Sequence, residues 1–245
     1  MDVSLAAKVL HMRAILVAAS LFGAFAPAGM AHHTENPTDD RIREYILAHP
    51  EVILDALALL TERQEREARA QQIAAFPSLF ERPPVLGLGA QNAPRRVVEF
   101  FDYKCFPCRS IHARLATLTE ANPDLRIEMR HLPILTPASE QATRFALAAQ
   151  QVEGEEAYRA AHEALWAHTG PYNTVVFSRI ASELTLNFEA IEDAMWSDVI
   201  TAQIDENRNI AIALDIIGTP SFVTPEDVAI GTTDLERLTA LFLNQ

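Results

Sequence analysis

The sequence predicts an α/β protein in which a βαβ unit and a ββα unit are separated by a long helical block. Three observations carry this prediction. An apolar run at residues 97–101 precedes a helical pattern, and a second, alternating run follows at residues 125–132. Residues 139–214 have helical character throughout, and strand character returns only at residues 221–224 and 228–230. A helical arm precedes this core along the chain.

Length and composition place the chain among ordinary soluble proteins. Its 245 residues are 49% hydrophobic and 22% charged, which allows one sizeable core with an appendage, or two small domains. The formal net charge is -13. Because so acidic a surface repels phosphate groups, we expect no binding to nucleic acid and none to anionic lipid over most of the surface.

Residues 1–31 have the pattern of a secretory signal peptide. Lys8 and Arg13 precede an uncharged stretch, and Gly29 and Ala31 supply the small side chains that signal peptidase requires. A membrane anchor is the alternative, but the uncharged stretch is only marginally long and is poor in large aliphatic side chains. We expect cleavage, and a mature chain that is soluble in an oxidising compartment such as a bacterial periplasm.

Residues 32–75 are predicted to form a helical arm. A first helix begins near Thr38, and because proline is favoured at the first helical position, a second is expected to start at Pro50. The apolar stripes of the two helices are formed by Ile42, Tyr45, Ile46, Ile53, Ala56, Leu57 and Leu60. Residues 61–72 keep helix propensity but lose the apolar face, which predicts a solvated stalk.

Residues 76–94 are predicted to be an extended linker that docks on the following domain, because they contain four prolines and show no helical periodicity. The main domain then spans residues 95–245, with a helical insertion at about residues 139–214. Two strands and the helix that Cys105 opens form the βαβ unit. This unit predicts a parallel strand pair with a right-handed crossover.

The helical block and the last elements complete the prediction. Helices are expected at residues 142–152, 157–168, 175–184, 188–196, 199–214 and 235–242. Gly154, Gly170 and Asn187 mark breaks within the block, and the last two strands are expected to form a hairpin. Trp166 and Trp196 are assigned to the core, with the lining of a hydrophobic substrate groove as the alternative. This order of elements is that of a thioredoxin-like core split by a helical insertion.

Cys105 and Cys108 are the only cysteines, and they stand as Cys-Phe-Pro-Cys where a buried strand gives way to a helix. Helix amide donors favour the thiolate, which is the species that attacks disulfides. A structural zinc site would need help from histidines such as His112 and His131. A purely structural disulfide across so short a loop adds only about 2 kcal/mol of stability. We therefore predict a redox-active pair.

Two stretches of the main domain carry a family resemblance. Residues 98–108, Val-Glu-Phe-Phe-Asp-Tyr-Lys-Cys-Phe-Pro-Cys, and residues 216–223, Ile-Ile-Gly-Thr-Pro-Ser-Phe-Val, resemble the DsbA-type thiol-disulfide oxidoreductases. The likeness covers about residues 95–245 and implies a DsbA-like thioredoxin fold. Residues 45–60 and the stalk after them are similar to the amino-terminal helices of the ScsC and Com1-like branch. Members of that branch oligomerise through this extension, which implies a trimer or dimer formed through residues 38–75.

The resemblance also implies roles for individual residues. Cys105 becomes the exposed nucleophile and Cys108 the more buried resolving thiol, which agrees with the free helix N–H groups near the first cysteine. Pro220 matches a cis-proline beside the active site, and the backbone of Thr219 is expected to pair with a bound peptide as a strand does. Glu99 matches a buried carboxylate that relays protons to Cys108. An edge-exposed glutamate is the alternative.

The resemblance implies a periplasmic thiol-disulfide interchange protein that isomerises or forms disulfides in exported proteins. The dipeptide Phe106-Pro107 departs from the branch, where Gly-Tyr or a histidine is more usual, so it does not decide between oxidation and isomerisation. The arm favours isomerisation, because an oligomer with several sites recaptures a misoxidised client at high local concentration. Expected partners are unfolded or misoxidised exported proteins, a membrane redox protein and further copies of the chain. No cofactor is expected.

Three alternatives stay open. The first is a monomeric dithiol oxidase. The second is a copper-binding or copper-tolerance protein that uses Cys105 and Cys108, with His32 and His33 as further ligands near the new amino terminus. The third is a holdase-like scaffold whose disulfide is merely structural. These alternatives differ in whether the cysteines exchange disulfides with client proteins.

Overall fold

The computed structural model describes residues 37–81 and 86–243. The predicted signal peptide and the pair His32-His33 lie outside the described residues. The described chain forms two compact units, one that ends at Val52 and one that begins at Ile53. Within the two described ranges, no helix combines the length and the apolar character that crossing a membrane requires.

The arm consists of two helices, α1 (Pro37–Ala48) and α2 (Glu51–Ala74). The predicted interruption at Pro50 is confirmed, and α2 begins one residue later. Large apolar side chains of both helices are exposed to solvent in the single chain. They are Ile42, Tyr45, Leu47, Ile53, Leu54, Leu57, Leu59 and Leu60. Burial of these side chains therefore requires a partner surface that the described chain does not supply.

The remaining helices and strands all belong to the second unit. The helices are α3 (Ser78–Glu81), α4 (Phe106–Ala121), α5 (Pro137–Glu153), α6 (Glu155–Ala167), α7 (Thr174–Glu183), α8 (Phe188–Ala194), α9 (Asp198–Ala213) and α10 (Leu235–Leu243). The strands are β1 (Gly87–Leu88), β2 (Arg95–Phe101), β3 (Leu125–His131), β4 (Ser221–Val223) and β5 (Val228–Ile230). These elements confirm the predicted α/β class.

The described strands form one sheet in the order β1-β3-β2-β4-β5. The pair β2 and β3 is parallel, as the βαβ unit predicts, and β4 and β5 form the predicted antiparallel hairpin. Strand β4 also pairs antiparallel with β2, so β2 lies at the centre of the sheet. A central strand is covered on both faces, which explains why residues 97–101 read as a continuous apolar run.

The two faces of β2 pack against different helices. Val97 packs with Ile111 and Leu115 of α4. On the opposite face, Val98 and Phe100 belong to a cluster that also contains side chains from α2, α3 and α9. Alternation along the strand therefore places Val97, Glu99 and Phe101 on the face that α4 covers.

The segment after α2 is more ordered than an extended linker. Ile73 in the last turn of α2 is only 1% exposed, and it packs in the cluster that contains Val98 and Phe100. A one-turn helix, α3, follows, and β1 pairs antiparallel with β3. Docking of the linker on the main domain agrees with the prediction, but the prediction did not include α3 or β1.

The helical insertion is divided where the sequence predicts. Gly154, at φ 92°, ends α5 and precedes α6, and Asn187 caps α8 with its side chain accepting the N–H of Ala190. Trp166 is buried in the core cluster, as predicted. The core assignment of Trp196 is wrong, because this side chain is 61% exposed. It lies over the guanidinium of Arg144, with 4.4 Å between Cζ and the ring centroid.

Candidate active site

The two cysteines lie at the start of α4, just after the short segment that connects β2 to this helix. Cys105 is the N-cap residue of α4, and Cys108 lies in its first turn. The backbone N–H of Cys108 donates to Cys105 Sγ at 3.0 Å, and the two sulfurs are joined in a disulfide bond. Pro107 stands in the first turn, where the missing N–H leaves no helical hydrogen bond unmade. The start of α4 therefore directs amide donors at the first sulfur.

Cys105 is less accessible than predicted. Cys105 is 2% exposed and Cys108 is fully buried, so the prediction of an exposed Cys105 is wrong for the disulfide form. The cause is the loop before β4, because the carbonyl oxygen of Thr219 lies 3.3 Å from Cys105 Sγ. The neighbouring Phe106 side chain is 78% exposed.

Thr219 and Pro220 lie beside the dithiol, although more than a hundred residues of the chain separate these two residues from Cys105. The peptide bond between them is cis, as the resemblance implies. The carbonyl of Pro220 accepts the N–H of Gly231 at 2.8 Å, and Ser221 Oγ donates to the carbonyl of Gly218 at 2.6 Å. These bonds fix the conformation of the loop at the start of β4.

Glu99 is fully buried on the central strand, so the alternative of an edge-exposed glutamate is wrong. Its register partners are Met129 of β3 and Phe222 of β4, and Phe222 belongs to the cluster under α4. Neither carboxylate oxygen has a hydrogen-bond partner among the described residues. Burial raises the pKa of Glu99 to about 8. The carboxyl is therefore largely protonated at neutral pH.

Asp102 anchors the loop that leads to Cys105, a role that the sequence did not suggest. Its side chain is buried, and Oδ1 accepts the backbone N–H of Lys104 at 2.7 Å. Oδ2 accepts the N–H groups of Ile134 and Leu135, each at 3.0 Å. The carboxylate therefore fastens the segment before the dithiol to the segment after β3. The position of an aspartate directly after a buried strand was the available signal.

A buried group of aromatic and histidine side chains lies behind the dithiol. Trp166 Nε1 donates to His162 Nε2 at 2.7 Å, and Tyr103 Oη lies 2.9 Å from His162 Nδ1. Tyr158 Oη lies 2.6 Å from His131 Nε2. Burial lowers the pKa of His131 to about 3 and that of His162 well below its usual range. Both imidazoles are therefore neutral, and this network is structural in character.

The described residues do not support a zinc site that includes the cysteines. Within residues 37–81 and 86–243, the group of three potential metal ligands is His112, His162 and Glu163, which contains no cysteine. His162 accepts from Trp166 through Nε2, so its remaining nitrogen carries the proton and it has no free lone pair. The sequence suggested His112 and His131 as further zinc ligands. In the structure, His112 is grouped with no cysteine, and His131 Nε2 is hydrogen-bonded to Tyr158.

Comparison with known families gives two matches. The model for the DsbA-like thioredoxin domain matches residues 96–242. The model for the N-terminal domain of the copper resistance protein ScsC matches residues 39–67. The first match contains both cysteines and the cis-proline, and the second falls on α1 and α2. The two matches together account for the predicted DsbA-like domain and for the predicted likeness of the arm to ScsC.

Solved structures resemble the chain over most of its length. The thiol-disulfide exchange protein alpha-DsbA2 from Wolbachia pipientis has a TM-score of 0.64 and 24% identity, covering 74% of this chain and 97% of that one. A thioredoxin-like oxidoreductase from Silicibacter pomeroyi has a TM-score of 0.59 and 36% identity, covering 66% and 92%. A linker-deletion variant of ScsC from Proteus mirabilis has a TM-score of 0.61 and 19% identity, covering 89% and 98%.

The curated relatives are much longer proteins. They are two Na(+)/H(+) antiporters, from Salinispora tropica and Salinispora arenicola, with 26% and 27% identity. The match covers 64% and 62% of this chain but only 24% and 23% of the antiporters. The chain thus spans about a quarter of the length of these relatives, and their transport activity carries no weight for the site at Cys105.

Proposed function

The chain belongs to the family of DsbA-like thioredoxin domains, whose members are thiol-disulfide oxidoreductases, and from this membership we propose that it isomerises disulfides in exported proteins. The observation that carries the proposal is the placement of Cys105. Its sulfur caps a helix, is bonded to Cys108 and lies 3.3 Å from the carbonyl of a cis-proline loop. We assign the catalytic roles to Cys105 and Cys108, with Glu99 as a proton relay.

Reduced Cys105 is the nucleophile of the proposed reaction. The N–H of Cys108 and the amide dipoles at the start of α4 stabilise its thiolate. The thiolate attacks one sulfur of a client disulfide, so that a mixed disulfide forms and the other client sulfur leaves as a thiolate. In isomerisation, a different client thiolate then attacks the mixed disulfide, which forms a new client bond and returns Cys105 as a thiolate.

Cys108 provides a second way to resolve the mixed disulfide. Its thiolate attacks Cys105 Sγ, releases the client sulfur as a thiolate and leaves the enzyme oxidised. Cys108 must lose its proton before this attack, and its full burial disfavours the thiolate. Glu99, on the sheet face that α4 covers, is the proposed acceptor of this proton; it acts in its ionised form, which is the minor form at neutral pH. A pKa of about 8 suits a carboxyl that exchanges protons with a thiol near neutral pH.

The cis-proline loop is the proposed docking site for the client. The backbone of Thr219 beside Cys105 is suited to pair with an extended peptide, and such pairing is independent of client sequence. Phe106 and Ile217 are both largely exposed next to the dithiol and the loop. These apolar side chains support binding of unfolded chains, whose apolar residues are accessible.

The arm supports isomerisation rather than one-way oxidation. We propose that residues 32–75 form an oligomerisation arm, that residues 76–94 connect it to the catalytic domain at residues 95–245, and that copies assemble through residues 38–75. The match of residues 39–67 to the ScsC N-terminal domain and the exposed apolar side chains of α1 and α2 support this assembly. Several sites in one particle then act on one client, which raises the rate of recapture.

Export of the chain is part of the proposal. A cleaved signal at residues 1–31 would deliver the protein to an oxidising compartment such as the periplasm, where a membrane redox protein resets the cysteines. The copper-binding alternative through Cys105 and Cys108 stays a prediction. Titration of the reduced protein with copper, compared with the disulfide form, tests it directly.

The experiment that tests the proposed function combines assembly and reshuffling. We expect Leu57→Glu to break the assembly, because it places a charge on the exposed apolar face of α2. Gln64→Glu, at an exposed polar position of the same helix, is the matched control. Light scattering gives the mass of each variant, and reactivation of a scrambled disulfide substrate gives the isomerase rate.

The expected result is that Leu57→Glu is monomeric and loses most of its reshuffling rate but still oxidises a reduced dithiol peptide. Gln64→Glu should match the unaltered protein in both assays. A monomeric unaltered protein, or a Leu57→Glu monomer with full reshuffling activity, would overturn the isomerase proposal and favour the monomeric oxidase.

A further inference from the structure

Two cationic side chains flank the dithiol and reach the same loop. Lys104 directly precedes Cys105, and Arg109 directly follows Cys108. The loop between α6 and α7 accepts hydrogen bonds from both. Lys104 Nζ donates to the carbonyl of Gly170 at 3.4 Å, and Arg109 Nη2 donates to the carbonyl of His168 at 2.9 Å. The insertion thus holds two positive charges next to the cysteines.

Tyr172 from the same loop touches both cations. Its ring centroid lies 5.4 Å from Lys104 Nζ, and its Oη lies 3.5 Å from Arg109 Nη2. The hydroxyl itself donates to the carbonyl of Leu165 at 2.8 Å, so the tyrosine is fixed in the core. The Arg109 guanidinium also lies 6.0 Å from the Trp166 ring centroid. Aromatic faces and carbonyls orient both cations without neutralising them.

Neither Lys104 nor Arg109 forms an ion pair with another described residue. The negative charge of Asp102 nearby is directed to three backbone N–H groups. Glu99 beneath α4 is largely protonated below about pH 8. Burial raises the pKa of Tyr172 to about 12, so this side chain is neutral. His168, whose Nε2 lies 3.2 Å from the carbonyl of Pro171, is the remaining titratable group of the loop.

We propose that Lys104 and Arg109, positioned by Tyr172 and in no ion pair with the described residues, stabilise the Cys105 thiolate by their positive charges. The dipeptide between the cysteines, Phe106-Pro107, contributes no charge, so these flanking residues supply the cationic side chains of the site. The inference rests on the proposed role of Cys105 as the nucleophile. The carbonyl of Thr219, 3.3 Å from Cys105 Sγ, opposes the thiolate, which makes compensation by the two cations more important.

The effect is selective for one redox state. A disulfide carries no charge, whereas reduced Cys105 is negative once ionised, so the cations stabilise only the reduced enzyme. A unit charge on the order of 8 Å away, at an effective dielectric constant of roughly 20 to 40, shifts a pKa by about one unit. Each unit makes the disulfide about tenfold more oxidising at neutral pH, which is about 30 mV for two electrons.

The test measures the ionisation of Cys105 in the reduced full-length protein. The pH dependence of alkylation by iodoacetamide, followed by mass spectrometry, gives the pKa of Cys105 specifically. The variants are Lys104→Met and Arg109→Met. Arg109→Lys keeps the charge, and Arg114→Met removes a charge from an exposed position further along α4 as the matched control. The equilibrium constant with glutathione is measured on the same set.

We expect Lys104→Met and Arg109→Met each to raise the Cys105 pKa by about half a unit to one unit, with the equilibrium constant changing three- to tenfold. Arg109→Lys and Arg114→Met should change both quantities much less. Tyr172→Phe keeps the ring but loses the oxygen near Arg109, so an intermediate rise in the pKa is expected. A purely structural role of Tyr172 would leave the Cys105 pKa of the folded variant unchanged, so this rise would show that Tyr172 positions the cations.

Two results would overturn the inference. One is a Cys105 pKa unchanged in Lys104→Met and in Arg109→Met. The other is an equal rise in Arg114→Met, which would indicate net charge rather than local placement. The proposed function fails differently, because an unaltered protein whose Cys105 stays protonated at neutral pH would remove the nucleophile itself.

Discussion

Replacement of Glu99 by glutamine should make the protein more stable, and increasingly so as the pH rises. Glu99 is fully buried, and neither carboxylate oxygen has a partner among the described residues. Its pKa is about 8 in the folded protein, against an ordinary value of 4.5 for a glutamate. Because burial raises the pKa of Glu99, its ionisation destabilises the folded state. This destabilisation is absent below about pH 4.5, grows as the pH rises toward about 8 and is complete above that value.

The magnitude follows from that difference in pKa. A span of about 3.5 pKa units, from 4.5 to about 8, corresponds to about 5 kcal/mol of unfolding free energy once both states are ionised. At pH 7 the expected loss is about 3 kcal/mol. Glutamine has a similar shape and does not ionise. The difference between the two proteins therefore isolates the ionisation of this one carboxyl.

Urea denaturation of the disulfide form at about pH 5, about pH 7 and about pH 9 measures the difference. Glu120→Gln, at an exposed position of α4, is the matched control and should follow the unaltered protein at every pH. The reasoning is refuted if Glu99→Gln and the unaltered protein show the same pH dependence. That outcome would place a water or a cation beside the carboxylate and would remove the argument for a neutral acid under the dithiol.

Three further predictions concern other parts of the site. Cys108→Ser should accumulate mixed disulfides with client proteins on non-reducing gels, whereas Cys105→Ser should trap none, because only Cys105 attacks the client. Asp102→Asn should lower the unfolding free energy by roughly 1 to 3 kcal/mol in urea, since one oxygen that accepts backbone N–H groups is lost. Burial lowers the pKa of His131 to about 3, so below its ordinary value of 6.5 only the unfolded protein takes up this proton. The free energy of unfolding therefore falls as the pH falls from 6.5 toward 3. His131→Gln should therefore show a shallower loss of stability between pH 7 and pH 4, by about 3 kcal/mol, in the same urea assay.

The sequence predicts the architecture well because its local signals are strong. The continuous apolar run at residues 97–101 is typical of a strand buried on both faces, and in the structure it forms most of β2 at the centre of the sheet. Gly154 and Asn187 carry the backbone and capping chemistry that ends one helix and begins another. The two motifs around Cys105 and Pro220 indicate the family because both are matched and stand in the expected order.

The failures share one physical cause, which is contact between residues distant in the chain. The family resemblance implied an exposed Cys105, but the loop at Thr219, more than a hundred residues further along the chain, covers it. Trp196 has the hydrophobicity of a core residue, yet it lies on the surface over Arg144. The short elements α3 and β1 are stabilised by packing and pairing with the main domain, so their few residues carry too little periodicity to be recognised.

The anchoring interactions were also beyond the sequence for the same reason. Asp102 binds backbone groups of Ile134 and Leu135, which any residue type could supply. Likewise, Lys104 and Arg109 reach carbonyls of the loop between α6 and α7. Backbone donors and acceptors leave no mark in the amino-acid pattern, so only the folded chain reveals these partners.

The account depends most directly on which sulfur reacts. The reduced protein can be treated with a limiting amount of iodoacetamide at neutral pH, and the alkylated peptide identified by mass spectrometry. The account predicts that the label is found on Cys105, at a rate well above that of free cysteine, because the start of α4 stabilises its thiolate. Label on Cys108 first, or a Cys105 no faster than free cysteine, would contradict it.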